Sequence, residues 1–317
     1  MRAVRSVHRY AIAALAALAV ATIAHADPVK DATGRIVKAG DVKRIVSIGG
    51  SVTEILYALG MDQHVVAIDT TSHYPPDAAK DKANVGYMRQ LAAEGVLGLR
   101  PTLILAIDGS GPKETLAVLN AAGVPMILVP DSYTGEGIIE KIRVIAQAVG
   151  VAARGECVIA RVRADLDALR QVETAIVKRK RVLFVLSFVN GRALAAGRNT
   201  AADGIVRMAG GVNAITEYDS YKPLTDEAVI AANPDMVLAM ARGGPAPLTA
   251  DVVFAHAAFT ATKAAATPAF VAMEGLYLLG FGPRSARAAR DLAVALHPEL
   301  KRDLLPSERA AAEPCRE

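Results

Sequence analysis

Two residues apart in the segment Val85-Gly86-Tyr87-Met88-Arg89-Gln90 stand a phenol and a guanidinium, Tyr87 and Arg89. A free phenol has a pKa of about 10, so it becomes an anionic oxygen donor at neutral pH only with help from a nearby positive charge. Guanidinium supplies that charge permanently, because it does not deprotonate in proteins. A tyrosine in a loop is otherwise expected to be a partly buried ring with a solvated hydroxyl, and the chain has eight tyrosines. The adjacent cation sets Tyr87 apart. His73 is a second candidate donor, but imidazole needs a fixed orientation to act as a ligand, and nothing beside it in the chain supplies one. It precedes Tyr74-Pro75-Pro76, so an exposed loop histidine and a turn tyrosine are the expectation.

The usual catalytic arrangements are missing from the sequence. Ser47 and Ser51 lie in no Gly-x-Ser-x-Gly pattern. Gly49-Gly50-Ser51 opens a helical stretch without the lysine-containing loop of a nucleotide site or a complete dinucleotide fingerprint. No cysteine and histidine cluster has zinc spacing. Glu54 reads as a first-turn carboxylate that complements the helix dipole. Cys157 falls in a helical pattern and Cys315 in a polar tail, so two unpaired thiols are expected.

The elements that position these residues follow from periodicity. Arg2, Arg5, His8 and Arg9 precede the apolar run Ala11 to Ile23, and Ala24-His25-Ala26 closes it with a small-x-small site. Residues 1–26 therefore read as an export signal cleaved near Ala26/Asp27, too short in its apolar part to span a bilayer. The 36 Lys and Arg against 32 Asp and Glu are interspersed, which argues against nucleic acid as a partner. After the leader, Arg44 to Gly50, Val65 to Ile68, Leu103 to Ala106 and Met126 to Val129 read as short buried strands. Helical stretches lie between them, Ser51 to Gly60 with a Ser or Thr cap and Lys113 to Ala122 among them. Residues 137–178 carry apolar positions at helical spacing (Ile138, Ile142, Ile145, Val149, then Val158, Val162, Leu166, Leu169) and read as one or two long helices. Strands at Arg181 to Leu186 and Met236 to Ala239 and a helix at Ala201 to Ala209, capped by Asn199 or Thr200, repeat the grammar. Alternating strands and helices of this kind indicate α/β lobes with mostly parallel central sheets. Glu94 to Pro101 and Glu227 to Pro234 each lead a helix directly into a strand at equal spacing, an echo that fits duplication or two ordinary connections.

The segment Arg44 to Gly60, the stretch Asp69 to Pro75 and above all Val85 to Gly95 resemble the periplasmic haem-binding proteins, relatives of the cobalamin and ferric-siderophore binders. The resemblance implies two similar lobes, residues 27–136 and 179–317, joined by a backbone helix within 137–178, with the ligand in the cleft between them. It implies a non-enzymatic, monomeric carrier that takes haem as its transported ligand and delivers it to an ABC permease dimer. Tyr87 would ligate the iron, Arg89 would support it, and Arg242 would approach the haem from the second lobe. Arg192 and Arg198 are further candidates for the haem carboxylates. Glu94 and Glu227 would dock on arginines of the permease. No histidine lies between His73 and His256, so a second-lobe histidine ligand is not available. A cobalamin or ferric-siderophore carrier is the alternative within the class, and a periplasmic enzyme the alternative outside it.

Overall fold

The computed structural model describes residues 27–241, 247–300 and Cys315; the leader expected from the sequence lies outside the described residues. The first lobe is built on Ile45–Ile48 (β1), Val65–Ile68 (β2), Ala83–Asn84 (β3), Leu103–Ile107 (β4) and Met126–Val129 (β5). These strands pair in the order β3-β2-β1-β4-β5, every neighbour parallel. All residues of β1, β4 and β5 are buried, as a sheet covered on both faces requires. Helices Gly50–Ala58 (α1), Ala93–Leu97 (α2) and Lys113–Ala121 (α3) form crossovers in this lobe.

Gly135–Ala148 (α4) and Ala152–Thr174 (α5) link the lobes. The linking segment is thus two helices, broken where Gly150 turns the chain at φ 73°. The apolar positions read from the sequence are buried along both. Gly155 lies where α5 meets α4, and a Cβ there would come within 2.4 Å of the Ala146 Cβ. At a rise of about 1.5 Å per residue, α5 is about 35 Å long.

The second lobe repeats the plan with an added strand and an antiparallel one. Arg181–Val189 (β6), Arg192–Ala196 (β7), Val212–Asn213 (β8), Tyr221–Pro223 (β9), Met236–Ala241 (β10) and Phe270–Glu274 (β11) form one sheet in the order β9-β7-β6-β10-β11, with β8 also on β6. β6, β8, β10 and β11 are parallel, whereas β7 is antiparallel to β6 and to β9. The cause is Asn190-Gly191, both at positive φ, which makes the two-residue turn that fits the twist of a hairpin. Ala201–Met208 (α6), Asp226–Ala232 (α7), Gly275–Leu279 (α8) and Ser285–Leu296 (α9) are among the helices of the lobe; Thr200 caps α6 by accepting from the Asp203 N–H.

The last helix among the described residues, α9, packs back along α5, with Arg287 donating to Asp165 at 3.0 Å. The same return brings Cys315 to Cys157, and the two form a disulfide with Cα atoms 6.0 Å apart. This corrects the expectation of unpaired thiols. The partners are 158 residues apart in the chain, and only the tertiary path brings them together.

Two buried polar contacts hold the lobes in register. Lys141 of α4 is fully buried, and its Nζ donates to Asp131 at 2.6 Å and Ser51 at 3.3 Å in the first lobe and to the Phe281 carbonyl at 3.1 Å in the second. Glu54 of α1 accepts from the Arg284 backbone N–H at 3.1 Å and from its guanidinium at 3.0 Å. Separating the lobes would take the Phe281 carbonyl from Lys141 and both Arg284 hydrogen bonds from Glu54, so wide separation is disfavoured. Solution scattering before and after addition of ferric haem should therefore show only a small change in radius of gyration. A large drop would refute the braced arrangement.

Candidate functional site

Between the lobes lies a cleft of about 1220 Å³. One rim comes from the loops after β2 and β3. Asp69, 1% exposed, fixes the first of these by accepting from the Gly49 N–H at 2.9 Å, the Thr71 N–H at 3.0 Å and the hydroxyls of Thr71 and Ser72 at 2.7 and 2.8 Å. The Thr70 N–H then donates to the Gly86 carbonyl at 2.9 Å, which ties this loop to the one bearing Tyr87. Gly86 turns at φ 88°, with its N–H on Asn84 Oδ1 at 2.8 Å. Farther on, the Gly111 N–H donates to the Met88 carbonyl at 2.9 Å. Tyr87 is left 37% exposed on the cleft, and Arg89 Nη1 donates to its phenol oxygen at 3.2 Å.

The floor is glycine-lined for a steric reason. A Cβ on Gly50 would come within 2.5 Å of both the Thr71 carbonyl and Leu276 of the second lobe. Gly49, not a Ser or Thr, occupies the N-cap of α1, at φ 110° and without a side-chain cap. Of the hydroxyls expected to cap it, Ser51 accepts from Lys141, and Thr53 joins Ser47 and Ser72 in a buried hydroxyl chain. Glu54 is likewise no first-turn carboxylate: it is buried one turn in and committed to Arg284. Its surroundings are set by a partner 230 residues away, which local pattern does not reveal.

Aromatic side chains face the cleft from both lobes. Tyr74, Tyr87 and Tyr133 stand on one side, with Tyr221 and Tyr277 on the other. Burial, reinforced by Asp131, pushes the Tyr133 phenol up to about 12, and burial also raises Tyr221, while Arg89 pulls both down. Both therefore remain neutral hydroxyls at physiological pH. Arg284 lies with its Cζ 3.6 Å from the centre of the Tyr74 ring and 5.2 Å from that of Tyr277.

The sequence-predicted residues separate clearly. Tyr87 and Arg89 come together on the cleft, and His73 and Tyr74 line it beside them. Arg242 lies outside the described residues, directly after Ala241, which lines the cleft. Arg198 pairs with Asp219 at 3.0 Å, and Arg192 is exposed at the β6–β7 turn; neither lines the cleft. Glu94 and Glu227 are exposed in the first turns of α2 and α7, one on each lobe. Sequence reasoning missed Asp69, Lys141 and Arg284, together with the inward roles of Tyr133, Tyr221 and Tyr277. Asp69 lies in the Asp69 to Pro75 stretch, where its turn with Thr71 is a local signal; for the others no local motif exists.

Two α/β lobes braced over one aromatic cleft, with the chain crossing between them on paired helices, define a substrate-binding protein. The chain belongs to the family described as periplasmic binding protein, which matches residues 45–274. It is similar to the solved structure of the periplasmic haem-binding protein BhuT in complex with two haems, at 40% identity and a TM-score of 0.76, covering 80% of this chain and 97% of that one. It is 27% identical to a cobalamin-binding protein of Halobacterium salinarum, over 80% of this chain and 69% of that protein. The ABC transporter substrate-binding lipoprotein YvrC of Bacillus subtilis is 27% identical over 62% of this chain, and the match spans 63% of that relative's length.

The Glu54–Arg284 contact makes a pH test possible. Burial raises the Glu54 carboxyl above its ordinary value of 4.5, and Arg284 only partly offsets this. A carboxyl raised in the folded state favours folding fully below its unfolded pKa, and that contribution is lost as pH rises through the folded value. Denaturant unfolding of wild type and Glu54→Gln from about pH 4 to about pH 8 should show wild type losing stability relative to the variant as pH rises. A relative gain would mean that Arg284 outweighs burial.

Proposed function

We propose that this chain captures haem outside the inner membrane and hands it to an ABC importer, acting as a monomeric carrier and not as an enzyme. The observation that carries the reading is the Tyr87–Arg89 pair on the rim of the interlobe cleft. Ferric iron is a hard acid and phenolate a hard anionic donor, a pairing found in tyrosine-ligated haem. The guanidinium already donates to the phenol oxygen at 3.2 Å, the atom that would face the iron. The tyrosine walls suit a flat conjugated ring. Arg242, following cleft-lining Ala241, would add a second-lobe cation near the haem. In this reading residues 1–26 are an export leader cleaved near Ala26/Asp27, 27–136 and 179–317 are the lobes, and 137–178 is the link.

A second reading, a cobalamin carrier, is favoured by the similarity to the Halobacterium protein. A corrinoid brings its own donors to its metal, and Tyr87 would then have no ligand role; the same holds for a ferric siderophore. A pH titration of the ferric haem spectrum separates the readings. Tyr87→Phe keeps the ring but removes the donor oxygen, so it should lose the phenolate-to-iron charge-transfer band and weaken haem retention. Arg89→Ala should lower haem affinity about 10–100-fold at neutral pH, as loss of a supporting group around a metal ligand does. Arg89→Lys should fall between, keeping charge without the planar fork. An unchanged spectrum in Tyr87→Phe would pass the iron to another donor, His73 first.

Glu94 and Glu227 are proposed as docking residues. Paired carboxylates on two similar lobes fit paired arginines on a two-fold permease. Hydrogen bonds from its own backbone N–H and from Thr225 hold Glu227 below the usual carboxylate range, which keeps it ionised. Charge reversal at both should abolish transport in reconstituted vesicles at unchanged haem affinity. Surviving transport would remove this assignment.

A further inference from the structure

Arg284 is placed oddly for a residue that would bind an anionic group of the ligand. It lines the cleft, yet its charge is already committed to buried Glu54, and Glu274 adds a second carboxylate to the same neighbourhood. What it presents to the cleft is its contact with tyrosine. Its guanidinium lies 3.6 Å over the Tyr74 ring, and Tyr277 stands beyond it with its hydroxyl donating to Asp291 at 2.7 Å. Tyr74 is still 39% exposed and lines the cleft, so part of its side chain remains open to a ligand. Its loop is anchored by Asp69 and Ser72 in the first lobe, whereas Arg284 and Tyr277 come from the second.

We infer that Arg284 is a positioning residue that holds the Tyr74 ring as a stacking platform for a flat conjugated macrocycle, a ligand contact assembled from both lobes and separate from the Tyr87 donor. A cation on one face of an aromatic ring draws π density toward itself. The opposite face is left poorer in electrons, which lessens the repulsion that disfavours face-to-face stacking. Glu54 keeps the guanidinium in place through two hydrogen bonds, one to its fork and one to its backbone. The inference rests on the haem reading for the identity of the macrocycle, but it needs no metal.

That difference supplies the test. The chain has no tryptophan, so quenching of tyrosine emission reports porphyrin binding directly. Wild type, Tyr74→Leu, Tyr74→Phe, Arg284→Gln and Arg284→Lys are titrated with ferric haem and with metal-free protoporphyrin IX. Tyr74→Leu should weaken both ligands about tenfold, the size of a good aromatic contact, while the Tyr87 charge-transfer band persists. Tyr74→Phe should recover most of this loss. Arg284→Gln should weaken both ligands, and Arg284→Lys should recover part by restoring the cation. Should an Arg284 variant lose its fold, the Tyr74 pair decides alone. Equal binding by wild type and Tyr74→Leu overturns the platform. Wild type that takes haem but not protoporphyrin also overturns it and leaves the haem reading standing. Tyr74-dependent binding of protoporphyrin without a Tyr87 band upholds the platform and removes iron ligation, and binding of neither overturns both.

Discussion

A lysine sealed from water sets the distance between the two lobes. Lys141 must keep its donors satisfied, and among the described residues Asp131, Ser51 and the carbonyls of Gly280 and Phe281 accept from it. Such a group does little for net stability compared with a well-packed apolar side chain, but it tolerates almost no displacement of its partners. Phe281 accepts a φ of 48° to present its carbonyl, an uncommon conformation for a bulky residue, and its fully buried ring packs on Tyr133 at 5.3 Å. The same turn delivers Arg284 to Glu54. A few residues of the second lobe are therefore fixed against α1 of the first and the linking helix α4, and the width of the cleft follows from them.

With the floor fixed, the rim can be built from loops. Asp69 joins the start of α1 to the loop bearing His73 and Tyr74, and one backbone hydrogen bond passes that order on to the turn bearing Tyr87. These hydrogen bonds tie the loops to the start of α1 and to each other, so a site made of loops acquires the precision of the sheet beneath it. Aromatic rings then cover the walls, and two guanidiniums act on tyrosines: Arg89 on a phenol oxygen, Arg284 on a ring face.

The strands were legible because residues buried on both faces leave continuous apolar runs, as in Leu103 to Ala106 and Met126 to Val129. Tyr87 and Arg89 were legible because their loop has a recognisable local sequence. Asn190-Gly191 was also readable as a hairpin turn, and the antiparallel β7 that follows from it was nevertheless overlooked. Lys141 was not readable at all. It lies among Glu136, Glu140 and Arg143 in what looks like a solvated helix face, and its burial depends on carbonyls about 140 residues onward. Glu54 and the Cys157–Cys315 pair fail for the same reason. Sequence pattern reports a residue's neighbours along the chain, and these side chains are defined by neighbours across it.

Those long separations bear on how the molecule comes into being. The strands of the first sheet are contiguous in the chain and can order as soon as they emerge, but Glu54 waits 230 residues for Arg284. Contacts so distant in sequence close late, because loop-closure entropy must be met before they return anything. Until then Lys141 has no second-lobe carbonyls, and the cavity has only one wall. The capacity to hold a ligand is thus among the last properties acquired during folding, so an incomplete chain cannot sequester cargo before its second lobe has docked.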